Sequence, residues 1–167
     1  SWTGGLLQHT LEVIEIGLKM SETGLNIDIP VFMVAAAWHD FGKIWAYKPV
    51  KSDPDPSIAG DSEVSITDLP YTKVKWVDSP LKEMTGGHLA RSYAEFMSYS
   101  RLELHNQRSK LCDKTIPNNK VEEILHCILA HHGQRDWGSP ARPQTNEAWV
   151  LHLADQASAR CLGGEGK

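Results

Sequence analysis

The stretch 31–43, Val-Phe-Met-Val-Ala-Ala-Ala-Trp-His-Asp-Phe-Gly-Lys, runs an apolar segment into two metal-ligand side chains, His39 and Asp40, and then into a glycine and Lys43. A neutral imidazole and a carboxylate together suit a borderline or hard divalent ion. The carboxylate has two oxygens, so Asp40 can serve one ion and share itself with a second. An aspartate buried at the end of an apolar run is costly unless it is paired or coordinates a metal. The chemistry of the pair therefore depends on what the rest of the chain brings to it.

Five further ligand-type residues fall at or near helix ends or on an apolar face: His9, His88, His131, His132 and Asp155. A lone histidine on a helix is more often a packing or surface residue than a ligand. His131 and His132 differ, because consecutive helical residues point about 100° apart and converge only where a helix stops. Gly133 follows them, so the helix is expected to stop there. Asp155 lies in Val150-Leu-His-Leu-Ala-Asp-Gln-Ala, where an aspartate is poor for a helix and expensive to bury. Its only charged partner nearby is Arg160, five residues on and off that face of a regular helix. His105 is assigned to the surface, and His126 and His152 to packing or to supporting the ligands. Lys43 either holds a phosphate or complements a helix dipole, and spacing alone leaves both open. Arg135, Trp137 and Arg142 lie in the loop after the histidine pair, where cations can grip phosphate and an indole can stack a base. Arg91, one turn into the helix that His88 opens, is a weaker candidate of the same kind.

Five helices must carry these residues. The first runs from Leu6 to about Met20, with Leu7, Leu11, Ile14 and Leu18 as its apolar stripe, Thr3 as a candidate cap and Gly24 as a stop. The second opens at Pro30 and is apolar nearly all round, which predicts a central position; it is expected to end near Phe41-Gly42 with the glycine as a left-handed cap. Residues 44–87 show little periodicity and many prolines, and Val74-Lys-Trp-Val77 could be a short strand or a turn. A loop that long is functional or mobile, and it is read as an insertion over the mouth of the site. The third helix spans His88 to about Leu104. The fourth spans Val121 to His132, capped by Asn118 or Asn119, with Ile124, Leu125, Ile128 and Leu129 inward. The fifth spans Asn146 to Arg160, capped by Thr145. The expectation is an all-α single domain over 1–167, a bundle of five core helices with the 44–87 insertion between helices 2 and 3.

Composition narrows the function classes. A net charge of −4 gives no overall basic field for nucleic acid, which weakens a non-catalytic DNA- or RNA-binding role but not a nuclease whose metals hold the phosphates. Three widely spaced cysteines without a CxxC argue against a disulfide framework or thiolate zinc site and suit the reducing cytosol, hence a cytoplasmic location. No run approaches the roughly 20 apolar residues of a membrane span, so no membrane partner is expected. The opening Ser1-Trp-Thr-Gly-Gly and the ending Gly163-Gly-Glu-Gly-Lys suit a fragment whose flanking domain lies outside this chain.

The ordered set His9, His39-Asp40, Asp155 resembles the H…HD…D signature of the HD-domain phosphohydrolase superfamily, and His88 with His131-His132 resembles its dinuclear branch. Gly4-Gly-Leu-Leu-Gln-His-Thr10, Ile128-Leu-Ala-His-His-Gly133, Trp137-Gly-Ser-Pro140 and Leu151-His-Leu-Ala-Asp155 look like the HD domain of the 3′→5′ exoribonuclease family. The resemblance covers most of 4–43 and 86–160. It implies one metal held by His9, His39, Asp40 and Asp155, and a second held by His88, His131 and His132, with Asp40 as bridge and catalytic ligand. One or two divalent ions (Mn, Fe, Zn, Ni or Co) fit such mixed donors. The implied reaction is phosphodiester hydrolysis by a metal-activated water, on a single-stranded RNA or DNA end or a nucleotide. It also favours a substrate or catalytic role for Lys43. The alternatives are a nucleotide phosphomonoesterase and a metal-binding sensing module without turnover.

Overall fold

The computed structural model describes residues 5–51, 74–79, 87–106 and 116–162, apart from the side chains of 49–51, 74–76, 102–106 and 162. Its helices are α1 (Gly5–Ser21), α2 (Ile29–Trp38), α3 (Gly87–Asn106), α4 (Asn118–Ala130) and α5 (Asn146–Ala157). This is an all-α bundle. Helix α2 sits at its centre, packed against α1, α4 and α5, while α3 covers α4. Phe32, Ala35 and Ala36 of α2 are wholly buried, as an all-round apolar helix requires. Phe96, Ile124, Leu125, Ile128, Ala148 and Leu151 close the core around them.

Local chemistry fixes the helix starts. Asp28 caps α2 by accepting from the Val31 amide, with Pro30 in the first turn, and Thr145 caps α5 by accepting from the Ala148 amide. Glu147 ties these two starts together, its buried carboxylate accepting from the Asp28 amide at 2.7 Å. Helix α4 begins at Asn118, after Pro117, which has no side-chain cap bond; Asn118 and Asn119 lie inside the helix instead of capping it. Thr3 lies outside the described residues.

Two expectations about faces are corrected. Leu7 and Leu11 are 65% and 57% exposed. Helix α1 enters the core through Val13 and Gly17. A Cβ on Gly17 would lie 2.0 Å from the Phe32 ring, so the missing side chain is what lets α2 pack there. Gly42 is not a left-handed cap. Helix α2 stops at Trp38, and Gly42 is buried in a 3-10 helix, Phe41–Trp45, without positive φ. A Cβ there would meet the His88 carbonyl oxygen at 2.2 Å. Glycine is needed for close approach of two chains.

Part of the 44–87 segment forms a two-stranded antiparallel hairpin. Strand β1 (Tyr47–Lys51) pairs with β2 (Val74–Asp78), Tyr47 opposite Asp78 and Lys51 opposite Val74. Pro49 lies within β1, where a two-stranded ribbon leaves one edge free of any partner among the described residues. The expected position of this segment over the mouth rests largely on 52–73 and 80–86, which lie outside the described residues.

Candidate metal centre

Three helix ends and one helix–helix contact bring the ligand-type residues together. Helix α2 delivers His39 and Asp40 at its C-terminus, and the 3-10 helix turns Lys43 back beside them. Helix α4 ends at Ala130, and Gly133, at φ 88°, turns the chain directly after His131 and His132. Helix α3 presents His88 in its first turn, held close because the Gly42 amide donates to the buried Ser92 hydroxyl at 2.8 Å. Helices α1 and α5 pack side by side and bring His9 to Asp155.

The result is two groups that meet at Asp40. His9, His39, Asp40 and Asp155 form one; His88, His131 and His132 form the other; within each, one ligand atom per residue lies within 4.8 Å of the rest. Asp40 Oδ2 faces the first group, 3.5 Å from both His9 Nε2 and His39 Nε2. Asp40 Oδ1 faces the second, 3.2 Å from His88 Nε2 and 3.6 Å from His131 Nε2. His9 Nε2 lies 3.0 Å from Asp155 Oδ1 and 3.4 Å from His39 Nε2. Two donors about 2.1 Å from one ion stand about 3.0 Å apart at a right angle and about 3.4 Å apart at a tetrahedral one. The closest spacings in the first group match those values.

The backbone sets the protonation of these rings. His39 Nδ1 donates to the Ala36 carbonyl, His131 Nδ1 to the Ile128 carbonyl, both at 2.7 Å, and His132 Nδ1 to the Trp137 carbonyl at 2.8 Å. A carbonyl only accepts, so each Nδ1 carries the hydrogen and each ring turns its Nε2 to the centre. His9 is oriented through side chains, its Nδ1 toward Ser158 and its Nε2 toward the Asp155 carboxylate. The Ser158 hydroxyl gives its one hydrogen to Glu12 at 2.7 Å, so it accepts from His9 Nδ1 at 2.8 Å. Burial keeps His39 neutral, pushed down to about 4, and burial with the nearby His131 and His88 brings His132 to about 4. Burial raises the Asp40 carboxyl, but His39, His131, His88 and Lys43 outweigh it and hold it well below the usual carboxylate range. Asp155 is also lowered: burial opposes ionisation, and His9, His131 and His39 overcome it.

Acceptors therefore converge with too few hydrogens between them. Asp40 Oδ1, His88 Nε2 and His131 Nε2 are buried without a hydrogen-bond partner, although they lie within ion-pair distance of one another. Such orphaned groups call for an explanation, and a cation among them is the one that suits every donor. Lys43 lies against Asp40 Oδ2 and supplies a single positive charge.

Among the substrate-side residues, Lys43 and Trp137 line a cavity of about 430 Å³ with His9, His132, Asp155, Gln156, Ala159 and Arg160. Arg135 and Arg142 are exposed in the loop and do not line it. Arg91 points elsewhere, its guanidinium 4.5 Å from the Trp45 ring and 3.1 Å from Glu95. Of the other histidines, His126 accepts from the Gln144 amide at 3.1 Å, and His152 donates to the His131 carbonyl at 2.7 Å, bracing the turn that holds the pair. The side chain of His105 lies outside the described residues.

Two residues of this region, Glu12 and Ser158, escaped sequence reasoning, and Arg160, expected off the face of Asp155, lines the cavity with it. Helix α5 passes into a π-helical turn, Ser158–Leu162. Its repeat is wider, i to i+5, and Arg160 on this turn lines the same cavity as Asp155. Ser-x-Arg directly after an apolar helix with a buried aspartate is the faint signal available.

The chain is 26% identical over 156 residues to the 3'-5' exoribonuclease YhaM of Shouchella clausii, covering 93% of this chain and 38% of that protein. It is 24% identical over 159 residues to the 3'-5' exoribonuclease YhaM of Bacillus subtilis, covering 95% and 40%. A 45-residue stretch is 46% identical to the protein of that name from Bacillus velezensis, 25% of this chain and 14% of the other. The chain thus spans about two fifths of the length of the first two relatives. No solved structure is significantly similar. The profile of the HD domain family matches residues 6–160, the whole span from α1 to the π turn that carries the converging histidines and aspartates, and the chain belongs to that family.

Proposed function

We propose that the chain is a dinuclear-metal phosphodiesterase that trims the end of a single-stranded nucleic acid, RNA before DNA. The observation that carries this is the division of ligands across Asp40, with imidazole Nε2 atoms on both sides of one buried carboxylate. His9, His39, Asp40 and Asp155 would hold one divalent ion, and His88, His131, His132 and Asp40 a second. Bound there, the ions supply Lewis acidity toward a phosphate and a nucleophilic water at neutral pH. The chain's own residues do the rest. Backbone carbonyls fix the orientation of the His39, His131 and His132 rings, so these three need not turn on loading. Lys43, in the cavity wall, would hold a phosphate oxygen once a metal takes over Asp40. The names of the relatives support an RNA end as substrate.

The test is a panel of single-stranded RNA and DNA, bis-p-nitrophenyl phosphate and nucleoside monophosphates, each with Mn²⁺, Fe²⁺, Co²⁺, Ni²⁺ or Zn²⁺. Release of mononucleotides from RNA, with hydrolysis of bis-p-nitrophenyl phosphate, is expected. Phosphate release from monophosphates alone would replace the assignment with a phosphomonoesterase. Metal binding with no turnover on any of them would leave a sensing module.

A further inference from the structure

The cavity wall beside the histidines has the elements of a base-binding site. Trp137 is 49% exposed, a large apolar ring left half in water. It is nonetheless held firmly. Its carbonyl accepts from His132, its amide donates to the Gln134 carbonyl at 3.1 Å, and the adjoining Gly138 amide donates to the Arg135 carbonyl at 2.8 Å. The buried Ser139 hydroxyl fastens the loop to the Leu129 carbonyl at 2.7 Å. An exposed indole on a backbone fastened in this way has less freedom to lose when another ring stacks on it.

Across from Trp137 stands Arg160, its guanidinium 5.7 Å from the ring centroid. No carboxylate lies within ion-pair distance of it among the described residues, so nothing else fixes that plane. The separation exceeds direct stacking and falls short of a sandwich. Placing one flat ring between them needs about 7 Å, two contacts of about 3.5 Å each, so Arg160 must withdraw by about 1.3 Å. It is an exposed side chain on the last, π-helical turn and can do so. Ala159 leaves room beside it, and Gln156 offers amide hydrogen bonds in the same wall.

We infer that Trp137 and Arg160 clamp the base of the terminal nucleotide, placing the adjoining phosphodiester at the metal centre. This rests on the phosphodiesterase reading for its substrate, and the test separates the two. Binding of AMP and of ribose 5-phosphate is measured by calorimetry on the Mn²⁺-loaded chain, with bis-p-nitrophenyl phosphate turnover measured alongside. AMP should bind at least about 10-fold more tightly than ribose 5-phosphate, within the range of base–aromatic stacking. Trp137→Ala should abolish that preference and Trp137→Phe restore most of it. Arg160→Lys should lose affinity as Arg160→Ala does, because a lysine keeps the charge without the plane. Equal binding of the two ligands by the unaltered chain, or equal losses on both ligands in the variants, would overturn the clamp. Base-dependent binding without diester turnover would support the clamp and sink the phosphodiesterase; turnover without base preference would do the reverse.

Discussion

Replacing Ser158 by alanine tests whether the centre is pre-organised from outside its ligands. In the folded chain the hydroxyl accepts from His9 Nδ1 at 2.8 Å and donates to Glu12 at 2.7 Å. Ser158 is 1% exposed, so little water can take its place. Hydrogen bonding from Ser158, and then Gln8, holds the Glu12 carboxyl below the usual carboxylate range, so it is ionised at neutral pH and the relay ends on a charge. Without the hydroxyl, His9 loses the hydrogen bond at Nδ1 that holds its ring with Nε2 toward Asp155. Loss of such an outer partner costs 10- to 100-fold in metal affinity, about 1.4–2.7 kcal/mol. That agrees with a hydrogen bond ending on a charged group, about 1.5–3 kcal/mol. The loss should fall on the site that His9 serves and spare the one formed by His88, His131 and His132. Competition titration with a chromogenic chelator resolves the two affinities. Glu12→Gln keeps an acceptor without the charge and should lie between the serine and the alanine forms; it also lies outside the π turn. Equal weakening of both sites would mean that Ser158 serves the fold alone, and unchanged affinities would show the relay to be idle.

Further outcomes follow from the same geometry. Asp40→Ala should abolish tight binding at both sites and all hydrolysis, read by metal analysis after gel filtration; one ion retained with normal turnover would refute a shared carboxylate. Gly42→Ala drives a Cβ to 2.2 Å from the His88 carbonyl oxygen, so it should destabilise the chain by about 1–3 kcal/mol in urea denaturation and weaken the His88 site first. In the metal-free protein, burial holds His39 at about 4 against the ordinary 6.5, so the unfolded chain binds the proton first as pH falls. The stability from a neutral His39 is complete above pH 6.5 and is lost on descending toward 4, up to about 3 kcal/mol. Urea midpoints at pH 7.5 and 4.5 measure the loss, and equal midpoints would contradict a neutral buried ring.

The parts of the centre that were legible in sequence are those with a local signature. His39-Asp40 ends an apolar run, His131-His132 precedes a glycine, and Asp155 interrupts an apolar face. Each sets a polar side chain where burial asks for a partner, so each can be picked out within a few residues of chain. Glu12 and Ser158 are 146 residues apart, and neither is unusual where it stands; only the packing of α1 on α5 makes them neighbours. The exposed faces of Leu7 and Leu11 carry the same lesson in the core. Periodicity marks a stripe but does not say which stripe wins. On α1 the contest was decided by Gly17, whose missing Cβ admits the Phe32 ring and brings Val13 inward, and this rotation puts His9 beside Asp155 and Ser158. Gly42 does the equivalent on the other side, admitting the His88 backbone. Two glycines that look like helix breakers in sequence thus set the distances between the ligand-bearing helices. A change at either should alter the metal centre before it unfolds the bundle.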